Sequence, residues 1–206
     1  SSASAYLNRT PATAGNRTTW TWSGWVKRGT LGVNQEFFSA GLAGANTSDI
    51  FFDANDKLNV INYVGAVYKT NKVSTAVFRD PAAWYHIVVS ANGATSVDVS
   101  VNGVALTWGT SVGPDGSNWF FNATNAHVLG TYVAVSAYYF DGEMAEVNFV
   151  DGQALAPTAF GASSIYNQWL PIRYAGTYGT NGFYLPFTNT TSTSTLVADS
   201  SGNANN

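Results

Sequence analysis

The chain contains no cysteine. Disulfides, thiolate metal centres and cysteine nucleophiles are therefore excluded together. Charge is scarce too. Asp, Glu, Lys and Arg make up 10% of the residues, against about a quarter in an ordinary domain. Nine Lys and Arg stand against twelve Asp and Glu, a net charge of −3. Nothing basic is available to hold nucleic acid or an anionic lipid surface. The two histidines, His86 and His127, are isolated and show no zinc-ligand spacing. No apolar run reaches the roughly 18 residues of a membrane span, so membrane insertion is not expected. The chain opens on Ser1, without a signal-peptide pattern, and Met144 is its single methionine. A processed end, or a piece of a longer protein, is the expectation. Helix signals are nearly missing. The best is Pro157-Thr158-Ala159-Phe160-Gly161, one turn with Pro at its start and Gly at its end.

What is present is apolar and aromatic. Of 206 residues 45% are hydrophobic and 15% aromatic, enough for a sizeable core in one domain. Polarity comes from Thr, Ser and Asn. Thr18 to Val26 is β-branched and aromatic, with Trp20, Trp22, Gly24 and Val26 on one face and Trp25 on the other. Glu36-Phe37-Phe38-Ser39 and Ile50-Phe51-Phe52 are short buried strands, and Lys57 to Tyr63 and Val73 to Phe78 are further candidates. Trp84 to Val89 is apolar on both faces, which marks a central strand. Val97, Val99 and Val101 alternate with polar residues, and Asn102-Gly103 then turns the chain into Val104-Ala105-Leu106. Later strands are expected at His127–Leu129, Tyr138–Val150 and Phe183–Phe187. About a dozen strands, Asn-Gly and Asp-Gly turns and no long helix predict an all-β, two-sheet antiparallel sandwich with jelly-roll connections. Residues 1–198 form that domain, and 199–206 read as the start of a linker. Two stretches stay irregular in this reading, Gly109 to Ala126 and Ile172 to Gly182.

Several motifs carry a resemblance. Trp20-Thr21-Trp22-Ser23-Gly24-Trp25-Val26-Lys27, the Trp84–Val101 hairpin and Phe140 to Phe149 resemble the core strands of laminin G-like, concanavalin A-like lectin/glucanase domains. Asp151-Gly152-Gln153 and Pro157 to Phe160 resemble the turn and short helix that follow. The run Tyr178 to Leu185, with Asp199-Ser200-Ser201-Gly202-Asn203, is similar to bacteriophage structural proteins, many of them marine. The resemblance implies a concanavalin A-like jelly roll. Its phage side implies a location at the virion surface, outside the cell, with other virion proteins and further copies of the chain as partners.

The superfamily includes glucan hydrolases, which need two carboxylates about 5 Å apart when they retain configuration. The one acidic cluster is Asp141, Glu143 and Glu146. The first two can share a strand face, but Glu146 falls on the other. The pattern departs from that of the enzymes, and no catalytic residue is assigned. Laminin G-like domains also hold calcium, for which Asp53, Asn55 and Asp56, with Asp49, supply oxygens, although Asn and Asp in this setting equally build a tight turn. No other cofactor is implied. Sugar binding calls for aromatic faces beside hydroxyl-binding groups. Trp108, Trp119, Tyr174 and Tyr178 in or beside the two irregular stretches, with Asp115 and Asn118, fit that chemistry. The same rings could plug the end of the core. The expected function is a non-catalytic virion module, a fibre, spike or decoration that adheres to host-surface glycan. The alternatives are a purely structural virion protein and a polysaccharide-degrading glycoside hydrolase.

Overall fold

Along Thr19–Arg28 the side chains alternate as the sequence predicts. Trp20, Trp22 and Val26 are fully buried on one face, and Trp25 lies on the other, stacked on His86 at 5.0 Å. Gly24 keeps its place because a Cβ there would sit 2.6 Å from the Trp22 ring. The absent side chain lets that indole lie along the strand. The structure, a computed structural model, describes residues 4–42, 44–135 and 137–205; Ser1 and Asn206 lie outside them.

In chain order the strands begin with β1 (Leu7–Arg9), β2 (Thr19–Arg28), β3 (Gln35–Leu42), β4 (Asn46–Phe52) and β5 (Lys57–Val64). There follow β6 (Val67–Val77), β7 (Tyr85–Asn92), β8 (Ser96–Val101), β9 (Val104–Ala105) and β10 (Trp108–Val112). The last are β11 (Ala126–Leu129), β12 (Gly142–Asp151), β13 (Gly161–Ser163), β14 (Trp169–Pro171) and β15 (Phe183–Leu185). A 3-10 turn at Pro157–Ala159 occupies the predicted position, and one helical turn, α1 (Thr193–Leu196), adds to it. A seven-stranded sheet runs β1-β11-β3-β4-β5-β6-β10, and a six-stranded sheet runs β15-β12-β2-β7-β8-β9. Every pairing within the two sheets is antiparallel. This is the two-sheet sandwich read from the strand pattern. The Asn102-Gly103 turn is left-handed at both residues, with φ of 50° and 78°, as a two-residue hairpin loop requires.

The main core lies between the sheets. Trp20, Trp22, Phe37, Phe38, Ile50 and Phe52 are among its buried members. Fully burying one such side chain stabilises by roughly 1.5–3 kcal/mol. A second, smaller cluster covers the outer face of the six-stranded sheet, where Val88 and Val150 meet Phe160, Tyr178 and Tyr184. The chain after β12 folds back over that face and adds the β13–β14 ladder, which the sequence pattern does not reveal.

Two expectations need correction. The Gly109–Ala126 stretch is not one irregular loop, because β10 pairs with β6 from Trp108↔Ser74 to Val112↔Asn71. Residues 199–205, expected to open a linker, are fastened to the sandwich. The Asp199 carboxylate accepts from the Tyr184 N–H at 2.8 Å, and Asn205 Nδ2 donates to the Gly182 carbonyl at 2.9 Å. Short polar side chains bonding local backbone explain why a composition typical of linkers can order.

Candidate functional site

The six residues expected to bind ligand are not brought together. Trp119, placed in the sequence reading as a stacking platform, is 1% exposed. Its ring meets Trp20 edge-on at 5.0 Å and stacks on Phe121 at 5.9 Å. It plugs the core, and its flat face is closed to any ligand. Asn118 presents its carbonyl to Asn62 Nδ2 at 3.3 Å. Asp115 pairs with Lys69 at 3.4 Å. Hydrogen bonds from Ser117, aided by Lys69, hold its carboxyl below the usual carboxylate range. Trp108 is half-buried at the core edge, with Lys72 Nζ 6.0 Å from its ring. Tyr174 and Tyr178 belong to the opposite side of the molecule, in the small cluster over the six-stranded sheet. The Tyr178 hydroxyl donates to Asn148 Oδ1 at 2.9 Å, and burial raises its pKa to about 12.

The acidic turn offered for calcium has other occupations. Asp53 Oδ1 accepts the backbone N–H groups of Asn55 and Lys57 at 2.8 and 3.0 Å, which closes the β4–β5 turn. Asp56 binds the Gly32 N–H and Arg28 through Oδ1, and Arg79 through Oδ2. Burial alone would raise its carboxyl, but these donors outweigh it and hold the carboxyl below its ordinary value. Two guanidinium groups thus already supply the positive charge a cation would bring there. Among the described residues no three His, Cys, Asp or Glu side chains gather in a metal-holding group. The Asp141, Glu143 and Glu146 cluster disperses in the same way. Their partners are the Thr30 hydroxyl, Lys27 and the Tyr184 hydroxyl respectively.

A Ser–His contact does form, between Ser23 Oγ and His86 Nε2 at 2.9 Å. Trp169 Nε1 lies 2.8 Å from His86 Nδ1. An indole N–H only donates, so Nδ1 accepts and the neutral ring carries its proton on Nε2. His86 therefore donates to Ser23 and is not placed to serve as its general base. Burial lowers the pKa of both His86 and His127 to about 4. With the folded pKa below the unfolded value, the stability each contributes is complete above pH 6.5. It is lost as pH falls from 6.5 through about 4. Heteronuclear NMR of the imidazoles should show both rings neutral at pH 5.5, His86 as the Nε2–H tautomer; a charged ring at that pH would refute the assignment.

The geometry that does gather chemistry is the outer face of the seven-stranded sheet. Ile50, Phe52, Leu58 and Val60 point into the core, so their strand neighbours point outward. Register then sets three rows across the strands. One runs Ser39, Asp49, Ile61, Asn71, Val112. Beside it lie Gly41, Thr47, Tyr63 and Tyr68, and on its other side Glu36, Phe51, Asn59, Val73 and Thr110. Tyr63 and Tyr68 meet with centroids 4.7 Å apart, and Tyr68 is 48% exposed. This is an aromatic and amide strip on a partly open sheet face. Toward β3 it ends at a crossing segment, residues 131–135 and 137–139, whose Tyr138 is also exposed. The sequence reading missed the strip because these residues look like ordinary strand positions. The Tyr63-x4-Tyr68 spacing across Gly65-Ala66 is a hairpin signal that would have paired the two rings.

Beneath the crossing segment, Glu36 and Asp49 are buried, at 4% and 1% exposure. Burial pushes the Glu36 carboxyl well above its ordinary range, with Asp49 adding to it. Burial also raises Asp49 to about 7, against a hydrogen bond from Thr47.

Residues 1–158 match the family described as the concanavalin A-like lectin/glucanases superfamily, of the laminin G type. The chain belongs to that superfamily. Among solved structures, a candidate carbohydrate-binding protein of Bacteroides ovatus superposes with a TM-score of 0.58 at 15% identity, over 88% of this chain and 49% of that one. The CBM40 domain of Ruminococcus gnavus IT-sialidase gives 0.53 at 12% identity, over 75% and 95%. The SAP-like pentraxin of Limulus polyphemus gives 0.52 at 16%, over 74% and 71%. At these identities the similarity is one of fold. The chain spans about half the length of the Bacteroides protein. A search of curated proteins gives no match. Among the described residues no helix is long and apolar enough to cross a membrane.

Proposed function

We propose that this chain is a non-catalytic glycan-binding module that takes saccharides on the outer face of its seven-stranded sheet. The observation that carries the reading is the Tyr63–Tyr68 pair, one ring half-exposed, in the row beside the one that holds Asn71. Apolar sugar faces stack on such rings while amides bond hydroxyls. The fold is shared with a carbohydrate-binding domain of a sialidase, which supports the same reading. The late sequence motifs, similar to phage structural proteins, favour a fibre, spike or decoration at a virion surface, adhering to host glycan outside the cell. Further copies of the chain and other virion proteins would be its partners. Binding is preferred over hydrolysis because Asp141, Glu143 and Glu146 each engage a different neighbour, and the Glu36–Asp49 pair is closed over.

A glycan array probed with the wild type and with Tyr68→Ala tests this. The variant is expected to lose about 10- to 100-fold in affinity, the 1–3 kcal/mol of an interface anchor. Its Tm should stay within about 2 °C, since Tyr68 lies outside the core. Unchanged glycan binding by Tyr68→Ala would remove the strip as the site. A wild type that binds no glycan at all would favour the purely structural alternative.

A further inference from the structure

The chain carries no charged residue between Asp151 and Arg173. Inside that stretch β13 and β14 form a hairpin, and its base is fixed. Trp169 Nε1 donates to His86 Nδ1 at 2.8 Å. The indole lies in a cradle where a Cβ on Gly103 or Gly161 would stand 2.6 or 2.5 Å from it. The Ile172 N–H donates to the Phe160 carbonyl at 3.0 Å. The tip is fixed as well. The Ser164 N–H donates to the Gln168 carbonyl at 2.7 Å, and the Asn167 N–H donates to the Ser164 carbonyl at 3.0 Å. Ser164 Oγ accepts the Tyr166 and Gln168 N–H groups, both at 3.2 Å. This turn holds Ile165 and Tyr166 outward at 89% and 78% exposure, the two most exposed large apolar side chains among the described residues. Leu170 and Ile172, on the strand face opposite Trp169, continue the exposed apolar surface.

A groove of about 790 Å³ opens elsewhere on the molecule, beside β1, β11 and β12, and Leu7, Met144, Phe187 and Val197 line it. Asp141 and Glu143 line it too, each already bonded to a neighbour, Thr30 and Lys27. Leu7, Met144 and Phe187 pack against the core between the sheets, whereas the hairpin sits on the outer face of the six-stranded sheet, over His86 of β7. Tied there, a hairpin cannot reach the groove of its own chain. We propose that the Ile165–Tyr166 tip of one copy of this chain docks into the apolar groove of the next. An uncharged tip meets an apolar floor, so no charge on the tip has to be dehydrated. A tip already held in one shape loses little freedom on docking. A lipid surface fits less well, because the hairpin brings no lysine or arginine to anionic headgroups. The contact joins two different patches. Each dimer therefore keeps one tip and one groove free, and association continues into a ring or a filament. The contact would serve the assembly of copies named above, but it stands apart from glycan binding, and its test uses no glycan.

Sedimentation velocity of the full chain, over about a hundredfold in concentration up to about 1 mM, tests this. The wild type should sediment faster as concentration rises and pass beyond the dimer. The double variant Ile165→Asp/Tyr166→Asp charges the tip, and Val197→Asp charges the groove. Each should weaken association by about 10-fold or more. Tyr6→Asp, in the same groove, is the substitute if Val197→Asp does not fold. The tip and groove variants mixed in equal amounts should form dimers and nothing larger, since one keeps a groove and the other a tip. A wild type that stays monomeric throughout overturns the proposal. So does a tip variant that associates like the wild type, or a mixture that stays monomeric while the wild type associates. Flotation of a monomeric wild type with phosphatidylcholine vesicles, lost in the tip variant, would also overturn it and assign Ile165 and Tyr166 to a lipid surface.

Discussion

Trp119→Ala is expected to lower the unfolding free energy by about 3–5 kcal/mol, the usual cost of emptying a buried tryptophan site. In a chain of this size that corresponds to a Tm drop of very roughly 6–20 °C. The reason lies in the neighbours. The Trp119 indole is clasped by Trp20 and Phe121, and Trp20 in turn packs on Phe121 and Phe149. These rings belong to different strands and to the segment before β11, so they cannot collapse together into the void. The backbone bonds Trp119 N–H to the Arg17 carbonyl and Arg17 Nε to the Trp119 carbonyl remain available to alanine. The loss should therefore come from packing alone. Denaturant unfolding of the variant measures it. Binding per folded molecule should be unaltered. A variant with near-normal stability but weakened ligand attachment would return Trp119 to the binding site and contradict its placement in the core.

Asp56→Ala should destabilise the fold by about 3–5 kcal/mol, the range seen when one partner of a buried ion pair is removed. Arg28 is 1% exposed, bonded to the Phe78 carbonyl at 2.7 Å and to Asp56 at 3.0 Å, and it lies 4.4 Å over the Phe52 ring. Without Asp56 its charge would stay buried with neutral partners only. Arg79, on the exposed side of the same carboxylate, contributes far less. Arg79→Ala is accordingly expected to cost under about 1 kcal/mol. The contrast between the two variants, measured by chemical denaturation, separates the buried pair from the surface one. Equal effects would show that Arg28 finds another anion or water when Asp56 is gone. The Asp56 carboxyl sits below its unfolded pKa, so its contribution is present above the unfolded pKa near 3.8 and is lost as pH falls through the folded value.

Strand content, the inward row of Trp20, Trp22 and Val26, the Asn102-Gly103 hairpin and the Pro157 turn were legible along the chain, because a strand's period of two and a turn's dihedral demands are local properties. So was the class: about a dozen strand signals, Asn-Gly and Asp-Gly turns and no long helix pattern together call for an antiparallel sandwich. Which aromatic residues face solvent was not legible. Trp119 sits among Asp115, Gly116 and Asn118, a context that reads as an exposed loop, yet it is buried in the core against Trp20 and Phe121. Tyr63 and Tyr68 sit in ordinary strands, yet they share an outward row. Exposure depends on which face another layer covers, and covering is set by residues distant in sequence. Glu36 and Asp49 make the same point. Each reads alone as a polar strand position. Only the β3–β4 register and the segment returning from β11 put two carboxyls into one dry compartment, because contact and dielectric are properties of the packed chain and not of its order.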